Sequence, residues 1–453
     1  MQRYDCERRV SLNNLIGNFR ILLFIISWFA AISSILWSSN KNFLIDIGVI
    51  TFSIFLILTL THLKRQSIFI IIFLLAVYTI TVRELPDLSD IIKAVNHILI
   101  FAGLIPTMGL VRATTQKLNN VKKSQELLSQ LPKDSFGSGF QIAAHVFGSV
   151  INTGVFAMLA AAMPPNSNFQ YRKLTAEAVL RGMSSSATWS PFFVAFVIGQ
   201  AYLDVASAWV GLAIGLIIGP SFSMLSIFLL NKKLTLKKLR VSLVCLRPML
   251  STLFTVMTLV VGSAIIFGFT ALSAVIIVMP LLVFGYLLKK PAHIKPITIE
   301  TFLYLKKNTD DVVIISLAML IGYFITNSPE ALALFKGLIE LKIPPWSILI
   351  FIPITMTLFS LVGIHPVISS TVLLSTLTSL NIQLSQPLLM QAHLIGWCAG
   401  TMSSIASLSV ITCSNLFQIP SSKLCYGVNS ITTISFALTG GIVLALISQL
   451  VKV

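Results

Sequence analysis

Apolar segments dominate this sequence and leave it few ways to fold. Thirteen of them follow one another along 453 residues, and most are about 20 residues long, the length at which an α-helix spans a bilayer. They lie at 19–38, 43–62, 67–82, 92–111, 139–163, 178–203, 205–230, 248–267, 270–288, 311–326, 346–380, 387–417 and 428–451. The composition is 56% hydrophobic and 10% charged, whereas about a quarter of the residues of a soluble domain are charged. The sequence therefore predicts an all-α polytopic membrane protein.

Two of the apolar segments, 139–163 and 346–380, carry small and polar residues at their centres. When both are taken as re-entrant hairpins, which enter and leave on one face, 26 of the 32 basic residues fall on one side of the membrane. Basic loops stay in the cytoplasm. We therefore predict about eleven transmembrane helices and two hairpins in a bacterial-type inner membrane. The N-terminus would be cytoplasmic and the C-terminus periplasmic or extracellular.

The net charge and the cysteine spacing limit the classes of partner and cofactor that the sequence predicts. A net charge of +17 would suggest nucleic acid in a soluble protein, but here the basic residues serve as topology determinants. The five cysteines show no metal-ligand spacing. We expect membrane lipids and a small molecule as partners, no nucleic acid, and no cofactor apart from Na⁺ as a coupling ion.

Short segments recur at a nearly constant offset, which indicates an internal repeat. INTGVFAML at 151–159 falls on SSTVLLSTL at 369–377 with an offset of 218, and SSSATWSPFFVAF at 184–196 falls on SSIASLSVITCSN at 403–415 with an offset of 219. The predicted topology gives the two copies opposite orientations, which is typical of secondary transporters. The second segment of each copy is Ser-rich, and we expect it to form a broken helix.

The repeat divides the chain into four parts. They are an N-terminal tail with an extra first transmembrane helix at 1–38, a first inverted repeat at 39–230 with a hairpin at 139–163 and a broken helix at 178–203, a basic cytoplasmic linker at 231–247, and a second inverted repeat at 248–453 with a hairpin at 346–380 and a broken helix at 387–417.

The hairpins and broken helices place hydroxyl and amide groups at membrane depth. Non-helical backbone is tolerated there only where protein buries it or where it lines a wet cavity. Helix-end amides attract anions, and helix-end carbonyls suit a hard cation such as Na⁺. The competing explanation for any single residue is helix packing, because small residues let backbones approach.

Two overlapping sets of candidate residues follow from this pattern. The candidate substrate-binding residues are Asn152, Thr153, Ser186, Thr188, Ser370, Thr371 and Ser407. The candidate Na⁺ ligands are Ser149, Asn152, Ser184, Ser190, Ser369, Thr371, Ser403 and Ser409.

At these segments the chain resembles the ion transporter superfamily and, within it, the divalent anion/sodium symporter family of dicarboxylate and citrate carriers. That family carries a Ser-Asn-Thr signature at each hairpin tip. INTGVFAML at 151–159 is similar to the first, with Ile151 in place of serine, and SSTVLLSTL at 369–377 is similar to the second, with Ser370 in place of asparagine. The resemblance implies a homodimer whose hairpins and broken helices form the moving part, and an organic anion carried with Na⁺.

Two histidines in these segments are candidates for proton coupling. His145 and His365 precede the two signatures, and histidine changes its charge near neutral pH. Ionisable residues at membrane depth are costly and therefore often functional. His365 is the stronger candidate because Pro366 breaks its helix. A hydrogen-bonded structural histidine is the alternative at both positions.

These patterns predict a secondary active transporter that moves a small, anionic organic solute with Na⁺ or H⁺ by alternating access. An ion/proton antiporter and a channel are alternatives within membrane transport. A membrane enzyme or a protein that handles lipid-linked glycans is the alternative of another class. Such proteins need a large extracytoplasmic loop, and the longest one predicted here, 327–345, is short. We therefore do not expect an enzyme.

Overall fold

A computed structural model describes residues 2–37, 41–82, 84–164, 166–230, 235–330, 333, 343–380 and 384–451. The regular elements of these residues are all helices. Nine of the described helical segments are long and apolar enough to cross a membrane. The chain is therefore an all-α polytopic membrane protein, which confirms the predicted fold class.

The helices follow the chain in two sets. The first set is α1 (Gln2–Leu36), α2 (Lys41–Leu60), α3 (Arg65–Thr81), α4 (Leu88–Ile98), α5 (Ile100–Thr115), α6 (Asn119–Ser129), α7 (Lys133–Ile151), α8 (Gly154–Ala161), α9 (Phe169–Ser186), α10 (Val194–Tyr202), α11 (Val205–Leu230) and α12 (Leu236–Val244). The second set is α13 (Arg247–Phe267), α14 (Ala271–Lys289), α15 (Ile294–Lys307), α16 (Thr309–Asn327), α17 (Pro345–Leu361), α18 (Pro366–Ser379), α19 (Gln386–Ser403), α20 (Leu408–Phe417), α21 (Ser421–Cys425) and α22 (Val428–Val451).

The nine long apolar segments match nine of the eleven predicted transmembrane helices. The other two differ for separate reasons: α3 is apolar but only 17 residues long, and the predicted span 178–203 is interrupted between α9 and α10. The helix α8 has 8 residues and is about 12 Å long. It is too short to cross a hydrocarbon core of roughly 30 Å.

Three boundaries differ from those that hydropathy predicts. The helix α7 begins at Lys133 and α9 begins at Phe169, well before the apolar segments at 139 and 178. Both helices start with polar turns, which a hydropathy window excludes although they continue the helix. The expected linker 231–247 contains the helix α12, which packs on α7.

The contacts divide the chain into two compact units that do not coincide with the repeats. Unit one comprises Met1–Thr114 and Ser263–Phe324, and unit two comprises Thr115–Gly262 and Ile325–Val453. Each unit therefore takes residues from both halves of the chain. Both hairpins and both broken helices belong to unit two.

Unit one has an aromatic core and contains a buried carboxylate, Asp310. The rings of Phe24 and Phe55 stack with centroids 4.5 Å apart. Asp310 is 7% exposed, and its Oδ2 accepts hydrogen bonds from the Lys64 amide at 3.0 Å and from Ser67 Oγ at 2.8 Å. Asp310 therefore fixes the start of α16 to the start of α3.

Close backbone contact between α7 and α9 forms part of unit two. A Cβ atom added to Gly182 would overlap the backbone oxygen of Gln141 and lie 2.9 Å from the Cβ of Ala144. Backbone atoms cannot move aside as a flexible side chain can. The absence of a side chain at Gly182 therefore sets the distance between the two helices.

We expect Gly182→Ala to lower the free energy of unfolding by about 1–3 kcal/mol, the usual range for overpacking. Gly137→Ala is the matched control, because Gly137 lies on α7 and a Cβ atom there meets nothing within 4 Å. Thermal unfolding of the purified variants measures the difference. Equal melting temperatures for the two variants would contradict the packing described here.

Candidate functional site

The first hairpin, α7 and α8, turns at an asparagine with unusual backbone angles. Asn152 has φ 54° and ψ −136°, a region that favours glycine. Its Oδ1 accepts a hydrogen bond from the Thr153 amide at 2.7 Å. The side chain of Asn152 thus holds part of the turn, while the residue itself is only partly buried.

The first break, residues 187–193, separates α9 from α10 and is bonded to this hairpin. Ser190 is buried, and its Oγ donates a hydrogen bond to the backbone oxygen of Ser149 near the end of α7. The same Oγ accepts from the Phe192 amide at 3.2 Å. One hydroxyl group therefore stabilises the unwound backbone and ties it to the hairpin.

The second hairpin, α17 and α18, turns at residues 362–365, where Gly363 has φ 94°. The second break, residues 404–407, separates α19 from α20. Ser404 Oγ donates to the backbone oxygen of Ile364 at 3.2 Å and accepts from the Ala406 amide at 3.2 Å. These are the same two bonds that Ser190 makes in the first break.

Ser190 and Ser404 are therefore structural equivalents, 214 positions apart. The starts of α10 and α20, Val194 and Leu408, are also 214 positions apart. The offset of 219 that the sequence predicts for these segments is wrong at the breaks. The first break is longer than the second. An alignment of the two segments by residue identity therefore does not place structurally equivalent residues opposite each other.

Two buried residues of α19 form hydrogen bonds to backbone oxygens in the first break and in the helices next to it. His393 Nε2 lies 2.9 Å from the backbone oxygen of Ala195, and its Nδ1 lies 3.1 Å from Ser370 Oγ. With its amide oriented to donate, Gln391 reaches the backbone oxygen of Thr188 at 3.1 Å and that of Gly211 at 3.0 Å. The second broken helix thus supplies hydrogen-bond donors to the first break, at Thr188, and to the helices α10 and α11 beside it.

The short helices also pack across the repeats. The return helix α8 contacts α20, and α10 contacts the return helix α18. Each hairpin is therefore bonded to the break of its own repeat through a serine, while its return helix packs on the second half of the other broken helix. The two hairpins and two broken helices form one interlocked cluster within unit two.

The predicted hydroxyl ligands lie in the hairpins and in or beside the breaks, and most of them bond to a backbone oxygen nearby in their own sequence. These bonds are Ser149 to Val146, Ser186 to Met183, Thr188 to Ser185, Ser369 to Pro366, Ser403 to Ala399 and Ser407 to Thr401, at 2.6–3.2 Å. Ser184 Oγ is buried without a hydrogen-bond partner among the described residues. Thr153, Thr371 and Ser409 are buried as well.

The second set of tip residues does not lie at the tip. Ser369, Ser370 and Thr371 belong to α18, which begins at Pro366, and the chain turns before that helix. The turn comes earlier because Gly363 adopts a positive φ and Pro366 has no amide hydrogen, so it fits the first turn of a helix. Among these three residues, Ser370 reaches His393.

The two candidate histidines have different surroundings. Trp189 Nε1 donates to His145 Nε2 at 3.1 Å, and His145 Nδ1 lies 2.8 Å from Ser185 Oγ. Because the indole can only donate, Nε2 carries no proton, and the Ser185 hydroxyl is left to donate to the Gly182 backbone oxygen at 2.8 Å. This network fits a fixed neutral ring and favours the structural explanation for His145.

His365 caps a helix instead. Its Nδ1 accepts a hydrogen bond from the Val367 amide at 3.2 Å, at the start of α18. A proton added at Nδ1 would face the amide hydrogen and break the cap. Protonation of His365 is therefore linked to the start of the return helix of the second hairpin.

Sequence reasoning missed His393, Gln391 and Ser404. The first two lie within MQAHLIGW, an apolar stretch of α19 that has no hairpin signature. The rule that ionisable residues at membrane depth are functional candidates would have found His393. Nothing in the sequence distinguishes Ser404 from its neighbour Ser403.

Comparisons with known proteins give a weak likeness among solved structures. No protein-family model matches the sequence, and no curated protein matches it. Among solved structures, the YdaH transporter of Alcanivorax borkumensis is similar at 15% identity and a TM-score of 0.35, over 84% of this chain and 96% of that chain. The function proposed below rests on this chain's own sequence and contacts.

Proposed function

We propose that this protein is a secondary active transporter whose substrate and coupling ion bind at the two breaks of unit two. The observation that carries the proposal is the pair of equivalent breaks, in which Ser190 and Ser404 make the same two hydrogen bonds. Interrupted helices within a membrane leave amides and carbonyls that bind substrates and ions.

Polar residues of the two hairpins support a small organic anion as the substrate and Na⁺ or H⁺ as the coupling ion. Thr153 and Thr371 are buried, and Asn152 is partly buried at its turn. The amide ends of α8 and α18 suit an anionic group because of the helix dipole. The carbonyl ends of α7 and α17 suit a cation. In this proposal the N-terminus is cytoplasmic, as the charge distribution predicts.

His365 is the residue to which we assign proton coupling, if the coupling ion is H⁺. Protonation would remove the cap of α18, and the loss would loosen the return helix of the second hairpin. A change in proton binding would thus alter the geometry of the second break, to which Ile364 is bonded through Ser404. His145 has no such link, because its neutral ring is held from both sides.

The test is transport by the purified full-length protein in proteoliposomes, with radiolabelled dicarboxylates and tricarboxylates as the probes. We expect accumulation that depends on an imposed Na⁺ or pH gradient. If the pH gradient drives uptake, His365→Gln should abolish accumulation and leave counterflow exchange measurable. His62→Gln is the control, because His62 is exposed.

Two outcomes would count against this assignment. Equal loss of accumulation and exchange in His365→Gln, or no loss of either, would remove His365 from proton coupling. Gradient-independent flux of the probes in the unmodified protein would indicate a channel and would contradict the transporter proposal itself.

A further inference from the structure

A cavity of about 300 Å³ lies in unit two, away from the breaks. Its walls come from the first turns of α7, residues 171–181 of α9, the end of α11 and the start of α22. Most of the wall is apolar and includes Leu174, Ala178, Ile227 and Leu230. The size is at the lower end of the range for small-molecule sites.

One guanidinium group lies in this wall and is held in a fixed orientation. Arg181 is 6% exposed, its Nε donates to Gln141 Oε1 at 3.3 Å, and its Nη1 donates to Asn429 Oδ1 at 2.7 Å. The amide nitrogen of Gln141 is itself bound by Ser226 Oγ at 2.6 Å and the Ser223 backbone oxygen at 3.0 Å. The amide of Gln141 is therefore fixed with its oxygen toward Arg181.

The charge of Arg181 has no ion-pair partner in direct contact among the described residues. Glu177 on the same helix attracts it, but that carboxylate is paired with Lys173 at 3.6 Å. Asp134, at another part of the wall, is paired with Lys238 at 3.2 Å. Each of the two carboxylates in the cavity wall thus forms an ion pair with a lysine, whereas Arg181 donates only to neutral acceptors.

The donor atoms of Arg181 are not all used. A guanidinium group has five N–H donors and keeps its charge in proteins. The hydrogen bonds of Arg181 engage Nε and Nη1, so Nη2 is left without a partner among the residues that the structure describes. A guanidinium group that is held in place in a mostly apolar wall, with one nitrogen that no described residue engages, can form charge-assisted hydrogen bonds to an anionic group.

We propose that this cavity binds a small organic monoanion, with its anionic group on Arg181 Nη2 and its apolar body against Ala178, Ile227 and Leu230. The site is separate from the breaks and does not depend on the proposed transport function. A carboxylate on a free solute and the anionic headgroup of a lipid share this chemistry. The experiment below separates the two sources.

The test uses benzoate as the probe and benzamide as its neutral counterpart, with the full-length protein in nanodiscs of phosphatidylcholine. Titration calorimetry should give saturable binding of benzoate, and benzamide should bind roughly tenfold more weakly or not at all, since hydrogen bonds to charged groups are worth about 1.5–3 kcal/mol. Nanodiscs that contain phosphatidylglycerol form the second arm. Loss of benzoate binding there would support the site and identify the lipid headgroup as a competing occupant.

A cavity-filling variant and its control test the proposal without any change to Arg181 itself. Gly137 lines the cavity, and a Cβ atom there meets nothing within 4 Å. Gly137→Leu should therefore fill the cavity and abolish benzoate binding without unfolding the protein. Gly262→Leu is the matched control, because Gly262 has the same open surroundings outside the cavity.

Equal benzoate affinity in the Gly137→Leu and Gly262→Leu variants would overturn the proposal. Absence of benzoate binding to the unmodified protein in phosphatidylcholine nanodiscs would overturn it as well. Neither result bears on transport at the breaks, which the proteoliposome assay measures separately.

Discussion

Asn152→Gly is expected to abolish transport while the protein stays folded. Asn152 has φ 54°, so glycine fits its backbone at least as well as asparagine does. The variant removes only the amide side chain at the turn of the first hairpin. If that amide is a ligand at the first break, uptake should fall by roughly a hundredfold, since outer-shell partners of a bound ion alone cost 10–100-fold.

The choice of glycine matters for this experiment. Alanine at φ 54° and ψ −136° would be strained, so Asn152→Ala would mix a loss of stability with a loss of the ligand. Gln418→Gly is the matched control. Gln418 is the other described non-glycine residue with positive φ, at 55°, and it lies at the end of α20 away from the hairpin tips.

The measurement is gradient-driven uptake in proteoliposomes, together with the melting temperature of each purified variant. We expect Gln418→Gly to retain transport and Asn152→Gly to lose it, with both proteins unfolding near the temperature of the unmodified protein. Full activity of a stable Asn152→Gly variant would mean that the polar residues at the tip only allow the hairpin to pack.

His393→Ala is expected to destabilise unit two strongly. The side chain is completely buried and connects Ser370 of the second hairpin to the Ala195 backbone oxygen of the other repeat. Its removal leaves a cavity and two buried polar groups without a partner. Together these effects should lower the free energy of unfolding by about 3–5 kcal/mol.

His393→Gln separates packing from hydrogen bonding. The glutamine amide can donate to the Ala195 oxygen and accept from Ser370, so this variant should recover much of the lost stability. His62→Ala is the control at an exposed histidine. Thermal unfolding in the same detergent measures all three, and a melting temperature of His393→Ala close to that of His62→Ala would contradict the cross-repeat connection.

The sequence determined the membrane character and the positions of most spans, because hydropathy over about 20 residues reflects a requirement of the bilayer itself. It also located the interrupted segments. Pro366 and the serine-rich stretch that ends at Ser190 disfavour continuous helix through local backbone chemistry, and local chemistry is readable from neighbouring residues.

Only the tertiary structure decided how the two repeats correspond and what holds the breaks. Ser190 is the equivalent of Ser404 because each hydroxyl donates to a backbone oxygen of its own hairpin. The distance between each hydroxyl and that oxygen depends on where four separate helices end. His393 and Ala195 are 198 positions apart, and nothing local marks either as the partner of the other. A hydrogen bond between distant segments is set by packing, whereas a span or a break is set by the residues within it.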